Sequence, residues 1–296
     1  MSYKFRSLIL RDTGRPTPEL QEKIDDFSQS WSKYHELQPG KKLFHYTDIG
    51  GLQGIVESKQ LWFSHLSSLN DPHEVEYGKK IINEEINSRL VGEDNKNIRF
   101  FYDSIKQIIS GFGRTLHHAF VCCFCEEANL LSQWREYSDR GGGYSLGFEF
   151  NENTMIFFNQ EDYGNSFEKI KSTPQPLLRK VIYDVEEQNR LVKVYLDEIK
   201  KGYDAGINGK VESRFRTKDL HAAVMGAQSV DILLDMIFAF KNPAFKEEKE
   251  WRLMDIVMDN HDPENFSFRN NAKMLVPFRK TYLANVTDDC YFPLNL

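Results

Sequence analysis

The order of the secondary-structure signals constrains the fold of this chain more than any other feature of its sequence. Short apolar segments typical of strands are scattered among amphipathic helical segments, without the regular strand–helix–strand alternation of a parallel sheet. Residues 119–125 are apolar at every position, which predicts a buried central strand. We therefore expect an α+β fold with a mixed or antiparallel central sheet and several helices.

Periodicity and capping signals place the individual elements. The Thr-Pro-Glu run at 17–19 is typical of a helix start and predicts a helix to about Leu37. Residues 1–40 are interpreted as a helical extension, and residues 41–296 as one elaborated domain. Further helices are expected over 74–90, 99–112, 129–137, 185–203 and 219–241. Strands are expected over 42–46, 61–64, 144–150, 180–183, 251–258, 273–277 and 281–286.

Composition narrows the class of protein. The chain has 296 residues, with 38 Lys and Arg against 44 Asp and Glu, so its formal net charge is −6. This charge argues against broad binding to a phosphate backbone and leaves room for a local basic patch. No apolar run approaches the ~18 residues of a membrane span, and residues 1–14 lack a signal-peptide core. We expect a soluble, cytoplasmic protein that does not enter a membrane.

Three cysteines lie close together at Cys122, Cys123 and Cys125. A zinc site needs a tight turn at its cysteine pair and two further ligands, whereas the flanking residues favour a strand. In a strand, Cys123 and Cys125 lie on one face and Cys122 on the other. We interpret the three as small buried side chains and expect no metal.

Glu248 and Glu250 are candidate catalytic residues, because the pattern from Trp251-Arg252 onward predicts the start of a strand next to them. A strand that starts by Glu248 would project both carboxylates from one face. As a working pair, one could bind a ribose hydroxyl and stabilise a cationic anomeric carbon while the other orients a nucleophile. The alternative is a solvated helix end rich in Lys and Glu.

Polar residues near two early strand ends form a second candidate group. His45 ends a strand just before a capped helix, where its imidazole could face a cleft; the alternative is a hydrogen bond to the local backbone. Asn70 and Asp71 form a polar turn after the strand that carries Ser64, and both are also ordinary turn formers.

Aromatic residues in the middle of the chain form a third group. Trp134 lies in the polar–aromatic run 132–137, and Tyr144 follows the glycines at 141–143. They could offer a platform for a base or a nicotinamide ring, and packing of Trp134 into the core is the equal alternative.

Taken in order, these motifs resemble domain-of-unknown-function family 2971, a bacterial family with no assigned activity. The resemblance covers about residues 42–255. Its opening signature corresponds to 45–47, 61–64 and 69–74. Its later parts correspond to 123–125, 132–137, 143–148 and 241–252.

A looser resemblance, to ADP-ribosyltransferase-like proteins, implies a fold of that type and NAD as a substrate. Laid on that scheme, His45 contacts the NAD ribose, Glu250 is the catalytic carboxylate and Glu248 orients the acceptor. Ser64 or Tyr144 occupies the middle position. This chain departs from the pattern there, because no Ser-Thr-Ser stands on the second strand.

Two classes of function follow. The first is NAD-dependent glycosyl transfer, as an ADP-ribosyltransferase or NAD glycohydrolase, in a bacterial toxin or defence setting. The second is a non-catalytic module that binds nucleotides or nucleic acids. A third hypothesis is a metal-dependent hydrolase or nuclease that uses His45 with Asp71 or the glutamates. The partner is a nucleotide-like small molecule, with a protein or nucleic-acid acceptor that the sequence does not identify. The expected ligand-binding residues are Tyr46, Thr47, Ser64, Asn70, Asp71, Trp134, Tyr144 and Arg252.

Overall fold

A computed structural model describes most of the chain and confirms the α+β fold class. The described residues are 15–68, 73–111, 117–137, 142–150, 154–157, 176–207, 217–258, 267–271, 274–287 and 290–293. The helices are α1 (Pro18–Tyr34), α2 (Ile49–Ser58), α3 (Glu74–Leu90), α4 (Lys96–Gly111), α5 (Leu131–Tyr137), α6 (Val185–Ile207), α7 (Lys218–Gln228) and α8 (Asp231–Ala239). The strands are β1 (Lys42–Thr47), β2 (Gln60–His65), β3 (His117–Cys125), β4 (Tyr144–Glu149), β5 (Thr154–Phe157), β6 (Leu177–Lys180), β7 (Glu250–Met258), β8 (Ser267–Asn271), β9 (Met274–Thr287) and β10 (Cys290–Pro293).

Contacts group the chain into two compact units, between which it passes repeatedly. Unit 1 comprises Met1–Glu36, His73–Thr115 and Ile182–Pro243, and unit 2 comprises Leu37–Pro72, Leu116–Val181 and Ala244–Leu296. This grouping differs from an extension over 1–40 followed by one domain, because the N-terminal helix belongs to the same unit as the later helices.

Unit 1 is helical and contains α1, α3, α4, α6, α7 and α8. Close helix packing depends on small residues: a Cβ added to Gly78 of α3 would lie 2.8 Å from the backbone of Ile237 in α8. A polar network lies in the same unit. The Glu74 carboxylate lies 3.0 Å from the Lys241 ammonium, and both side chains are buried. The Gln188 amide donates to the carbonyls of Ile182 and Lys241.

The region predicted as one helix over 219–241 is two helices, α7 and α8, separated at Ser229. Lys218–Ala239 is also long and apolar enough, by length and composition alone, to cross a membrane, which the sequence reading overlooked. However, 83% of its most apolar window is buried within the structure. The core helices of a soluble protein have this property.

Unit 2 contains the sheet, in which the described strands pair antiparallel. The main path is β10-β9-β2-β3-β1-β4, and β7 lies along the other edge of β3, between β3 and β6. The strand β9 spans both segments predicted as separate strands over 273–277 and 281–286. Three described strands, β5, β8 and β10, were not predicted, and the strand expected over 180–183 shares only Lys180 with β6.

The alternation of side chains divides the sheet into two faces. One face, which we call the core face, carries the apolar cluster Leu43, Leu61, Phe63, Phe120, Cys122, Phe124, Phe148, Ile156, Trp251 and Leu253. The residues that alternate with these along each strand point to the opposite side of the sheet, which we call the second face. Cross-strand registers place Tyr46, Cys123, Glu250 and Arg252 there.

The sheet opens at one point, which we call the fork. The register between β1 and β3 is limited to Phe44 opposite Cys125, and the register between β2 and β3 to Ser64–His65 opposite Val121–Phe120. Both strands therefore leave the same edge of β3 over residues 122–124. Because β1 continues along β4 and β2 along β9, the gap between them is a feature of the topology.

Candidate functional site

His45 lies in the fork and is held by the backbone of β3. Its Nδ1 lies 2.9 Å from the Cys123 carbonyl oxygen, and 3.9 Å from the Cys122 sulfur. A carbonyl oxygen only accepts hydrogen bonds, so Nδ1 carries the proton and Nε2 has a free lone pair. No hydrogen bond from a described residue reaches Nε2. His45 therefore lies in the fork, and its hydrogen bond to the backbone leaves one ring nitrogen available.

Burial lowers the pKa of His45 below its ordinary value, and the positive charge of Arg269 lowers it further, against the raising effect of the bond to Cys123. His45 is consequently neutral near neutral pH. A neutral imidazole with a fixed tautomer can accept a hydrogen bond from a ligand hydroxyl.

Ser64, on the other strand of the fork, is held by an arginine that sequence reasoning missed. The Arg269 Nη2 donates to the Ser64 Oγ at 2.9 Å. Arg269 is exposed, and its charge also lowers the pKa of the Cys122 thiol, so it lies near that side of the fork. Nothing around Arg269 forms a local motif. Its position depends on β8 pairing with β9 and β9 with β2, which no sequence signal indicates.

The glutamates predicted as a pair on one strand are separated by a change of backbone. Glu248 ends a short 3₁₀ helix (Pro243–Glu248), and β7 begins at Glu250. Between them Lys249 has a φ of 46°, in the left-handed region. The prediction that Glu248 and Glu250 project from one strand face is therefore wrong, because the strand starts too late.

Glu250 forms a buried ion pair with Arg252 on the second face. The Arg252 Nε donates to Oε1 at 2.7 Å and Nη2 to Oε2 at 2.8 Å. The side chains of Arg252 and Glu250 are only 1% and 7% exposed. Two parallel charge-assisted hydrogen bonds hold the carboxylate in one orientation. Arg252, predicted to bind a ligand, instead binds Glu250.

Cys123 and Tyr137 surround this carboxylate. Burial raises the pKa of the Cys123 thiol well above its ordinary value, and the neighbouring Glu250 carboxylate, which is hydrogen-bonded to the thiol, raises it further. Tyr137 is 38% exposed, and the pKa of its phenol is raised by desolvation of the hydroxyl first and then by Cys123, Glu136, Glu250 and Glu248. Tyr137 therefore stays a neutral phenol close to both glutamates, although the two lie on different elements.

The structure does not bring His45 and Glu250 onto one face. In the registers, His45 points with Phe124 to the core face, whereas Glu250 lies beside Cys125 on the second face. They are nevertheless near neighbours through Cys123, whose carbonyl binds the imidazole and whose thiol binds the carboxylate. His45 and Glu250 therefore lie on opposite sides of β3.

The side chains of Tyr46 and Trp134 pack against each other and form local hydrogen bonds. The Tyr46 hydroxyl donates to the Glu127 carbonyl at 2.7 Å and accepts from the Leu130 N–H at 2.9 Å, and only 4% of the residue is exposed. The Trp134 ring lies edge-on at 4.8 Å from the Tyr46 ring, and its Nε1 donates to Asn129. The core-packing alternative therefore describes Trp134 better than an open platform.

Thr47 and Tyr144 lie opposite each other on β1 and β4, and Tyr144 is 40% exposed. Asn70 and Asp71 lie outside the described residues. Within the described ranges, no group of three His, Cys, Asp or Glu side chains is arranged to hold a metal ion. Burial raises the pKa of Cys122 to about 12, as expected for a cysteine in apolar packing.

Comparison with known proteins identifies a family and no activity. Residues 133–253 match the family described as "Protein of unknown function (DUF2971)", so the family expected from the motifs is confirmed over that stretch. The match contains the motifs over 143–148 and 241–252 and most of 132–137, and the segments with His45, Ser64 and Cys123 lie before it. No curated protein matches the chain. No solved structure matches it either, and the resemblance to ADP-ribosyltransferases has no support from these comparisons.

Proposed function

We propose that unit 2 binds a nucleotide-like ligand at the fork, with NAD as the first candidate, in the cytoplasm of a bacterial cell. The observation that supports this most strongly is the neutral His45 held where two strands separate, with its Nε2 lone pair free of described partners. A ribose hydroxyl is a suitable donor to that nitrogen.

The other flank of the fork supplies groups for a phosphate. Arg269 is exposed and already orients the Ser64 hydroxyl, which can donate its own proton outward. A guanidinium binds phosphate through two parallel hydrogen bonds, and one of its nitrogens is used by Ser64. The imidazole of His45 points to the core face, whereas Ser64 and Arg269 lie on the second face. A sugar phosphate would therefore contact both through the gap between β1 and β2.

Glycosyl transfer from NAD is the second candidate, and the proximity of Glu250 to His45 through Cys123 favours it. Breaking the bond between nicotinamide and ribose requires a carboxylate near the anomeric carbon. Glu250 is held by Arg252 on the opposite face, so transfer requires Glu250, or Glu248 beside it, to reach the fork. Binding needs no such movement, and it is therefore the primary proposal. A defence or toxin role would follow only from the transfer activity.

Calorimetric titration of the full chain with NAD and with ADP-ribose tests the binding proposal. H45A should abolish measurable binding, and R269A should weaken it. R190A is the matched control, because Arg190 is also exposed and bonds a side chain, Glu187, in unit 1. Equal binding by wild type and H45A, or no binding of either ligand by wild type, would refute the proposal.

Release of nicotinamide from NAD separates binding from transfer. Wild type that releases nicotinamide, with loss in a folded E248Q or E250Q variant, supports transfer. Wild type that binds NAD without releasing nicotinamide supports a binding module.

A further inference from the structure

Three strands next to the fork carry a second group of exposed residues, which the site above uses only in part. Trp62 on β2 lies directly opposite Lys280 on β9, and Ser64 lies opposite Phe278. Arg269 on β8 reaches over β9 to Ser64. Residues opposite each other in an antiparallel pair point the same way. Trp62, Lys280 and Arg269 therefore share the second face, and we call them the Trp62 patch.

The indole of Trp62 is held in place from below. Its ring stacks on that of Phe278, with centroids 4.4 Å apart and planes at 28°. Phe278 is 3% exposed, whereas Trp62 is 39% exposed. Because Phe278 supports one side of the indole, the exposed side is a flat aromatic surface whose orientation is already set. A ring fixed in this way loses little conformational entropy when another ring stacks on it.

The charges of the patch are all positive. Along β2, β8 and β9, the described side chains of this face are Gln60, Trp62, Ser64, Ser267, Arg269, Val276, Phe278 and Lys280. Lys280 and Arg269 are exposed, and within the described ranges neither forms an ion pair. This local excess contrasts with the net charge of −6 for the chain. Two cations beside an exposed aromatic ring complement a phosphate–base–phosphate unit.

We propose that the Trp62 patch binds single-stranded nucleic acid, with one unpaired base stacked on Trp62 and the flanking phosphates on Lys280 and Arg269. Stacking on the indole requires a base that is not already stacked and paired, so a duplex fits less well. The proposal depends on Trp62 and Lys280, which the NAD proposal does not use. A ligand at the fork and a strand on the patch would share only Arg269.

Fluorescence anisotropy with a labelled oligothymidine of about 12 nucleotides tests the proposal on the full chain. W62A should weaken binding about fivefold or more, because loss of one stacked base has that effect. W62F keeps an aromatic ring and should retain part of the affinity. It also guards against a W62A protein that fails to fold once Phe278 is uncovered.

The electrostatic part is tested by the salt dependence between about 50 mM and about 200 mM salt. K280Q should reduce the slope of log K against log salt by about 0.7, the value for one phosphate contact on a single strand. The matched control is K193Q, because Lys193 is an exposed lysine on α6. H45A should leave oligonucleotide binding unchanged, whatever its effect on NAD.

Three results would overturn the proposal. The first is an oligonucleotide affinity that is the same in W62A and wild type. The second is that no oligonucleotide binds the wild type at low salt. If the wild type is then a dimer and W62A is a monomer, the patch is instead a contact between two copies of the chain. The third is a mononucleotide that binds as tightly as the oligonucleotide, which would reduce the patch to part of the small-ligand site.

Discussion

Replacing Arg252 and replacing Glu250 should lower the stability of the protein with different pH dependences. The comparison tests whether their ion pair is buried as the structure shows. Both side chains are almost completely removed from solvent. Removing one partner from such a pair leaves an unpaired buried charge and costs about 3–5 kcal/mol. R252M removes the guanidinium while keeping an apolar side chain of similar length. E250Q keeps the shape of the carboxyl group and removes its charge.

In R252M, Glu250 can relieve the penalty by taking up a proton. Protonating a carboxyl group with an unfolded pKa of about 4.3 costs about 3.7 kcal/mol at pH 7 and about 1 kcal/mol at pH 5. The folded pKa of Glu250 in this variant is raised, so stability is retained below the unfolded pKa and lost as the pH rises through the folded pKa. The deficit of R252M relative to wild type should therefore shrink on acidification.

E250Q removes the negative charge that accepts two hydrogen bonds from Arg252, whose guanidinium does not deprotonate in proteins. The free energy of unfolding of E250Q should stay about 3 kcal/mol or more below that of wild type across the same pH range. The double variant E250Q/R252M should lose less than the sum of the two single changes, because it removes both members of the pair together.

Urea unfolding followed by tryptophan fluorescence measures these differences. Of the four tryptophans, Trp62, Trp134 and Trp251 belong to unit 2 and Trp31 to unit 1, so the signal reports mainly on the unit that contains the pair. A deficit in R252M that is equal at pH 5 and pH 8, or below about 1 kcal/mol, would contradict the reasoning. Glu250 would then be solvated and free for chemistry.

The remaining predictions concern packing and titration. G78A should lower the free energy of unfolding by about 1–3 kcal/mol, because the added methyl group would lie 2.8 Å from the Ile237 backbone in unit 1. G54A has open space around the added methyl group and should raise the free energy of unfolding by about 1 kcal/mol. Thermal unfolding of the two variants measures the difference. Because the pKa of His45 is lowered in the folded state, wild type should lose stability below about pH 6.5, and H45Q should show a weaker pH dependence in urea titrations. Cys122 and Cys123, whose thiol pKa values are raised, should resist alkylation at about pH 8 until the protein is unfolded, as peptide mapping would show.

Local patterns predicted most of the fold because they act over a few residues. The helix over 74–90 has the predicted bounds, and β3 contains the apolar run from which a central strand was expected. The break between α7 and α8 was not predicted, because no proline marks it and Gly226 lies within the last turn of α7, inside the apolar pattern. There Ser229 bonds back to the preceding turn through its N–H and its hydroxyl. Such a capping bond leaves the apolar periodicity intact on both sides.

The candidate site was predictable in its parts and not in its arrangement. His45 was chosen because it was expected near a strand end, and it lies within β1, two residues before the strand ends at Thr47. Which face it shares with Glu250 depends on the registers of β1 and β7 with β3, and those are long-range properties. For the same reason Arg269 and Lys280 had no signal: their relevance arises only where β8, β9 and β2 lie side by side.

The repeated passage of the chain between its two units has a consequence for how the protein can be cut. The family match begins at residue 133, so a fragment with those limits would lack β1, β2 and β3. Such a fragment would also end after the fourth residue of β7 and lack β8, β9 and β10. The remaining part of β7 would keep β6 and lose β3, and the unpaired strand edges would invite aggregation. Expression of the segment that matches the family should therefore yield insoluble material, and co-expression with both residues 1–132 and residues 254–296 would be needed to offer the missing strands in trans. The limits of the family match at residues 133 and 253 therefore mark sequence similarity and do not mark a folding unit.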